Sequence, residues 1–240
     1  MTASPTTASL LFDPERDVLL VVDVQPDFMP GGALPVPDGD AVLGPVNALL
    51  NRFGHAVATQ DWHPAGHLSF ASQHPGALPF GIVRLDYGEQ VVWPDHCVQG
   101  TAGAALHPAL HSDRLRAVFR KGVRRAVDSY SGFVENDRRT PTGLDGYLRG
   151  TGARRVFVCG LAMDFCVSAT AIGAAERGFE TWLVRDASRA IAAPEPGGGT
   201  TLDRAMAAMA AAGVQATTSR ALLEWRPTGA CGPAPHRRES

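Results

Sequence analysis

Cysteine is scarce in this 240-residue chain. Only Cys97, Cys159, Cys166 and Cys231 occur, and no two form a C-x-x-C pair. So few thiols exclude a disulfide scaffold and point to reduced cysteines and a cytoplasmic setting. Surplus charge is equally scarce: 22 lysines and arginines face 24 aspartates and glutamates, for a net charge of -2. That balance excludes nucleic acid and anionic membrane as expected partners. No apolar run approaches the roughly 20 residues that span a bilayer. Residues 1–9 are polar and lack the basic start and apolar middle of a secretory signal. No internal repeat is present, and no linker divides the chain.

The chain instead alternates strand and helix patterns. Val18 to Val22 is a continuous apolar run ending in Asp23, as suits a strand buried on both faces of a parallel sheet. Asp40 to Phe53 carries Val42, Val46, Leu49, Leu50 and Phe53 at helical spacing. Strands follow at His55–Thr59, Leu115–Arg120, Arg155–Cys159, Glu180–Val184 and Val214–Thr217. Helices are expected at Leu144–Arg149, Phe165–Arg177 and Thr201–Ala212. Residues 61–112 read as a long irregular region holding six of the eight histidines (His63, His67, His74, His96, His107 and His111). A loop region of that length is usually functional. The expected architecture is a single α/β domain over 17–226 with a mostly parallel sheet. Residues 1–16 form a lead-in, and 227–240, rich in Pro and Gly, form a disordered tail.

Three strands end in a reactive group: Asp23, Lys121 and Cys166. The carboxyl ends of parallel strands share one edge, where such sheets place their ligands. Cys166 is expected at or near a helix N-terminus, where the helix dipole favours a thiolate. It fits a nucleophile as well as it fits a small buried core residue. Asp23 suits a general base for the thiol proton, and Lys121 a charge that lowers the thiol pKa and holds the carboxylate. Taken singly, Lys121 is better explained as a surface lysine at a strand end, and Asp23 is as well explained as a helix or turn cap. A second group is Asp61-Trp62-His63 with His96 downstream. On an extended segment a D-x-H pair points both side chains to one face, as two ligands of one ion require. Oxygen and imidazole donors suit Zn²⁺, Mn²⁺ or Fe²⁺. Scattered loop histidines are also common as plain polar surface. Phe28 and Trp93 each lie in a proline-bearing loop beside a reactive residue, so their flat faces could sandwich a small planar molecule.

Six segments in this order resemble a known family. They are Val22 to Phe28, Thr59 to Phe70, Trp93 to Thr101, Lys121-Gly122, Asp128 to Phe133, and Gly160 to Val167. The sequence resembles the nicotinamidases, or pyrazinamidases, within the isochorismatase-like cysteine hydrolases. The resemblance implies a six-stranded, mostly parallel sheet flanked by helices on both faces, and hydrolysis of nicotinamide to nicotinate and ammonia through a thioester on Cys166, with Asp23 and Lys121 completing a triad. It implies one divalent metal on Asp61, His63 and His96. His67 ligates the metal in some members with a longer spacing than the four residues found here; Ser69 or waters are the other candidates to complete the shell. It also implies a cis peptide before Ala162, an oxyanion hole from the N–H groups of Ala162 and Cys166, aromatic walls from Phe28 and Trp93, and a pocket-side Tyr130. Two alternatives stay open: another small-amide hydrolase of this fold, acting on a carbamoyl compound or biuret, and a non-catalytic small-molecule binding protein. A homo-oligomer is compatible with the sequence.

Overall fold

The computed structural model describes residues 12–225; the first eleven residues of the lead-in and the tail from 227 lie outside that range. In chain order the strands are β1 (Asp17–Val22), β2 (Ala56–Asp61), β3 (Ile82–Leu85), β4 (Gly88–Val91), β5 (Ala117–Lys121), β6 (Arg155–Gly160), β7 (Glu180–Ser188) and β8 (Gln215–Thr217). The helices are α1 (Leu43–Arg52), α2 (Leu144–Gly150), α3 (Ser168–Glu176), α4 (Thr201–Ala211) and α5 (Ser219–Glu224). Six strands form one sheet in the order β5-β2-β1-β6-β7-β8, and every pairing in it is parallel.

Helices cover both faces, which is why β1 is apolar at consecutive positions. Leu19 and Val21 pack with Val46, Leu49 and Leu50 of α1 and Leu222 of α5. Val18, Leu20 and Val22 point the other way, against Leu144 and Leu148 of α2, Ala171 and Ala174 of α3, and Met209 of α4. Strand side chains alternate between faces, so a strand with two covered faces must be apolar throughout. At the end opposite the carboxyl edge, Asp17 opens β1 and forms a buried bidentate pair with Arg155, which opens β6, at 2.5 and 2.6 Å.

Three elements differ from the sequence reading. The helix expected from Phe165 begins as a π-helical turn, Met163–Val167, and becomes α-helical only at Ser168. The irregular region contains an antiparallel hairpin, β3–β4. A short helix, α5, follows β8.

Candidate active site

Register alone assembles the first half of the site. Asp61 pairs with Lys121 across β2–β5, and Val22 pairs with Gly160 across β1–β6. Asp23 follows Val22 with φ of 49°, which turns its carboxylate out of the strand direction and over the sheet edge. The close approach of β1 to β6 requires Gly160: a Cβ there would lie 2.0 Å from the Val22 carbonyl oxygen.

Lys121 is the hub. Its Nζ lies 2.8 Å from Asp23 Oδ2 and 3.3 Å from Cys166 Sγ. It also donates to Asp61 Oδ1 at 2.5 Å and to the Ser129 carbonyl at 2.8 Å. Burial pulls the lysine pKa down, but Asp23 and Asp61 outweigh it and hold the amine charged well above its usual range. Thr59, two residues before Asp61 and therefore on the same face of β2, donates to Asp23 Oδ1 at 2.7 Å. Burial raises the Asp23 carboxyl to about 6 despite the opposing pull of Lys121.

The Cys166 thiol departs from expectation. Lys121 lowers its pKa as anticipated, but full burial, with Asp23 and Asp61 close by, drives it well above the ordinary thiol range. A helix start cannot offset the loss of water around the sulfur. The resting group is therefore a thiol, and the Asp23 carboxylate, held on the same Lys121 ammonium, is placed to take its proton. The Leu161–Ala162 peptide is cis. Among the described residues the Ala162 N–H has no hydrogen-bond acceptor.

Asp61, His63 and His96 converge beside this group, their ligand atoms within 4.8 Å of one another. His63 Nδ1 is hydrogen-bonded to the Gly122 carbonyl at 3.0 Å, and His96 Nδ1 to the Pro94 carbonyl at 2.8 Å. A carbonyl only accepts, so both Nδ1 atoms carry the proton and both Nε2 atoms present lone pairs. Those atoms lie 3.7 and 3.9 Å from Asp61 Oδ2. His63 Nε2 is buried with no partner. Burial, then the neighbouring His63, lowers His96 to about 4, keeping it neutral as a ligand must be. Burial lowers His63 too, but Asp61 outweighs it and raises that ring above its ordinary value, so His63 presents its Nε2 lone pair to an ion by giving up a proton. This donor set fits a divalent metal. Gly122 is needed here as well, because a Cβ on it would lie 2.3 Å from the His63 ring.

His67 stands apart. Its Nδ1 meets Ser69 Oγ at 2.7 Å and its Nε2 meets the Val127 carbonyl at 3.2 Å. Both ring nitrogens are engaged by protein, and the Ser69 hydroxyl is engaged by His67; the His67, His63 and Asp128 ligand atoms nevertheless lie within 4.8 Å of one another, a second group that could hold a cation. The His67 and His63 rings are 4.4 Å apart. His74 holds the Leu68 carbonyl at 2.8 Å, a structural role.

A narrow cleft with a free volume of about 30 Å³ joins the two groups; its lining includes Phe28, Trp93, Tyr130, Ala162 and Cys166, with Asp61 and His96 at one side. Trp93 stands perpendicular to Phe165, with ring centroids 5.0 Å apart. A mostly apolar, aromatic lining with a few convergent polar groups is the make-up of a small-molecule site.

Sequence reasoning missed several supporting residues. Gln25 is fully buried and clamps Asp61 by accepting from its N–H at 2.8 Å and donating to its carbonyl at 2.9 Å. Asp128, Phe165 and Ile191 also line the cleft. Composition held one unused signal: Lys121 is the only lysine among 22 lysines and arginines. A compact ammonium on a flexible stem fits among two carboxylates and a thiol, whereas a planar guanidinium does not.

Comparison with known proteins agrees with this geometry. The isochorismatase-domain profile matches residues 17–221. A nicotinamidase of Acinetobacter baylyi is 48% identical over 205 residues, covering 85% of this chain and 94% of that protein. The solved structure of an Acinetobacter baumanii nicotinamidase/pyrazinamidase superposes with a TM-score of 0.83 at 44% identity, covering 88% of this chain and all of that one. A Pyrococcus horikoshii pyrazinamidase, solved in complex with zinc, gives a TM-score of 0.67 at 38% identity, covering 85% of this chain and 99% of that one. With its nucleophile turn, its sheet order and these matches, the chain belongs to the isochorismatase-domain family, on its nicotinamidase branch.

Proposed function

We propose that this chain is a metal-containing cysteine amidohydrolase that converts nicotinamide to nicotinate and ammonia and accepts pyrazinamide. The observation that carries the reading is the buried Asp23–Lys121–Cys166 group opening onto the same small aromatic cleft as Asp61 and His96. The names of the similar proteins support it.

In this reading Phe28 and Trp93 hold the substrate ring, with Tyr130 at the pocket side. Asp23 takes the thiol proton as Sγ attacks the amide carbon. The N–H groups of Ala162 and Cys166 receive the developing oxyanion. Asp23 returns the proton to the leaving nitrogen, and ammonia departs from a thioester on Cys166. Asp23 then draws a proton from the incoming water, which releases nicotinate and the free thiol. Lys121 keeps Asp23 ionised and in place between these transfers. A divalent ion held by Asp61, His63 and His96, with zinc, iron or manganese as candidates, supplies a Lewis acid for the ring nitrogen. The cytoplasmic setting belongs to the same proposal and is supported by the free state of Cys97, Cys159 and Cys166.

The test is ammonia release from nicotinamide by the purified protein, by Cys166→Ala, and by chelator-treated protein before and after metal is restored. Activity in the wild type, a loss of at least about a thousandfold in the variant, and chelator sensitivity reversed by metal are expected. Full turnover by Cys166→Ala would overturn the mechanism. Silence on nicotinamide with activity on a carbamoyl compound or biuret would move the substrate.

A further inference from the structure

The reaction proposed above leaves the ring untouched and replaces a neutral carboxamide by a carboxylate of nearly the same shape. A cleft that fits one by shape fits the other. Charge alone distinguishes them, and the charges already described favour the wrong partner: Lys121 and a bound divalent ion both attract the anionic product.

One lining group opposes them. Asp128 is 3% exposed and faces the cleft together with Asp61, His96, Tyr130 and Cys166. Its carboxylate is held at fixed geometry by two neutral donors. Oδ1 accepts from the Ser129 N–H at 2.8 Å, and Oδ2 accepts from Gln90 Nε2 at 2.7 Å. Gln90 comes from the β3–β4 hairpin, and Oε1 of the same amide accepts from Tyr87 at 2.9 Å and from Asn136 at 3.2 Å. No ion pair among the described residues includes Asp128. Asp61, the other carboxylate in the lining, is paired with Lys121. Asp128 lies with His63 and His67 in a group whose ligand atoms are within 4.8 Å of one another, but no lysine or arginine among the described residues pairs with it, so it brings to the cleft a carboxylate that the acyl-transfer steps do not use.

We propose that Asp128 is a specificity-determining residue that disfavours the anionic acid relative to the neutral amide, so that product leaves against the pull of Lys121 and the metal. This inference rests on the amidase reading above. A like charge several ångströms away in a site of intermediate dielectric changes the affinity for an anion by roughly tenfold.

The experiment compares metal-loaded wild type, Asp128→Asn and Gln90→Leu, at matched metal content. It measures the KM for nicotinamide and the inhibition constant of nicotinate at one pH. The expected result is a fall of about tenfold in the ratio of nicotinate inhibition constant to nicotinamide KM in Asp128→Asn. Gln90→Leu, which removes the hydrogen bond but keeps the charge, is expected to hold that ratio within about twofold while both constants move together. An unchanged or raised ratio in Asp128→Asn overturns the proposal. Asp128→Ser, a smaller neutral residue, carries the same prediction if the asparagine variant does not fold. Wild type that fails to release ammonia from nicotinamide would instead overturn the functional reading, and this inference with it.

Discussion

At the scale of single residues, burial sets the chemistry as much as sequence neighbours do. Cys166 sits where a helix begins and beside a lysine, yet enclosure holds its proton on. The same force acts on Glu135, which is 3% exposed and has a carboxylate oxygen, Oε2, without a partner. Burial raises its pKa from 4.5 to about 7, against a partial offset from Arg124. An acid with a raised folded-state pKa stabilises the fold while protonated. That contribution is complete below pH 4.5 and is lost as pH rises through about 7. Glu135→Gln should therefore melt close to wild type at pH 5 and higher than wild type, by about a few degrees, at pH 8. Melting curves of the two proteins at both pH values check this, and a constant gap would refute it.

At the scale of elements, the nucleophile turn is tied to its surroundings by Asp164. Its carboxylate accepts from the Ile191 N–H at 3.0 Å and the Ala192 N–H at 2.8 Å. It also accepts from Thr201 Oγ1, in the first turn of α4. Ile191 lines the cleft, so this one side chain joins the turn, the pocket wall and a helix start. Asp164→Ala leaves buried donors unsatisfied, at about 1–3 kcal/mol, and frees Ile191; both a lower Tm and a higher KM are expected. Thr200→Ala removes the capping box of the same helix, at about 1 kcal/mol, and should lower Tm without moving KM. Paired melting and kinetic measurements separate the two, and parallel KM changes would refute the assignment. The elements differ in how well they could be read. β1 was legible because two covered faces demand an unbroken apolar run. The π-helical turn was not, since Ser168 to Ala175 is a run of mostly small residues with little amphipathic contrast, and such a run marks a helix but not where its first turn widens. The β3–β4 hairpin has Leu78, Phe80 and Ile82 exposed on or near it, so no burial alternation announced it. That Asp61 and His63 share a face was legible from strand geometry; that His96 joins them, buried, was not. Asp128 was not, because its place in the cleft depends on a hydrogen bond to Gln90, 38 residues away.

At the scale of the whole molecule, the two ends of the sheet do different work. The carboxyl edge collects Asp23, Asp61, Lys121 and Cys166 from just after or at the ends of four neighbouring strands, in the order β1, β2, β5 and β6 in sequence and β5-β2-β1-β6 in space. The opposite edge carries the Asp17–Arg155 pair, which fixes β1 to β6. Removing Asp17 takes the bidentate carboxylate away from a largely buried arginine, at a cost of up to about 3–5 kcal/mol. Asp17→Ala should thus lower the denaturant midpoint by more than any cap variant, while whatever fraction remains folded keeps the wild-type KM; a midpoint equal to wild type would refute the role. The burial of Lys121 has a consequence for chemical modification. It is the only side-chain amine in the protein and is 1% exposed, charged, and enclosed by Asp23, Asp61 and Cys166. An acylating reagent, which needs a neutral and reachable amine, finds no such side chain while the sheet edge is closed. Acylation at Lys121, read as a single mass shift on one peptide, therefore clocks the opening of the catalytic centre itself, with no other lysine to blur the signal.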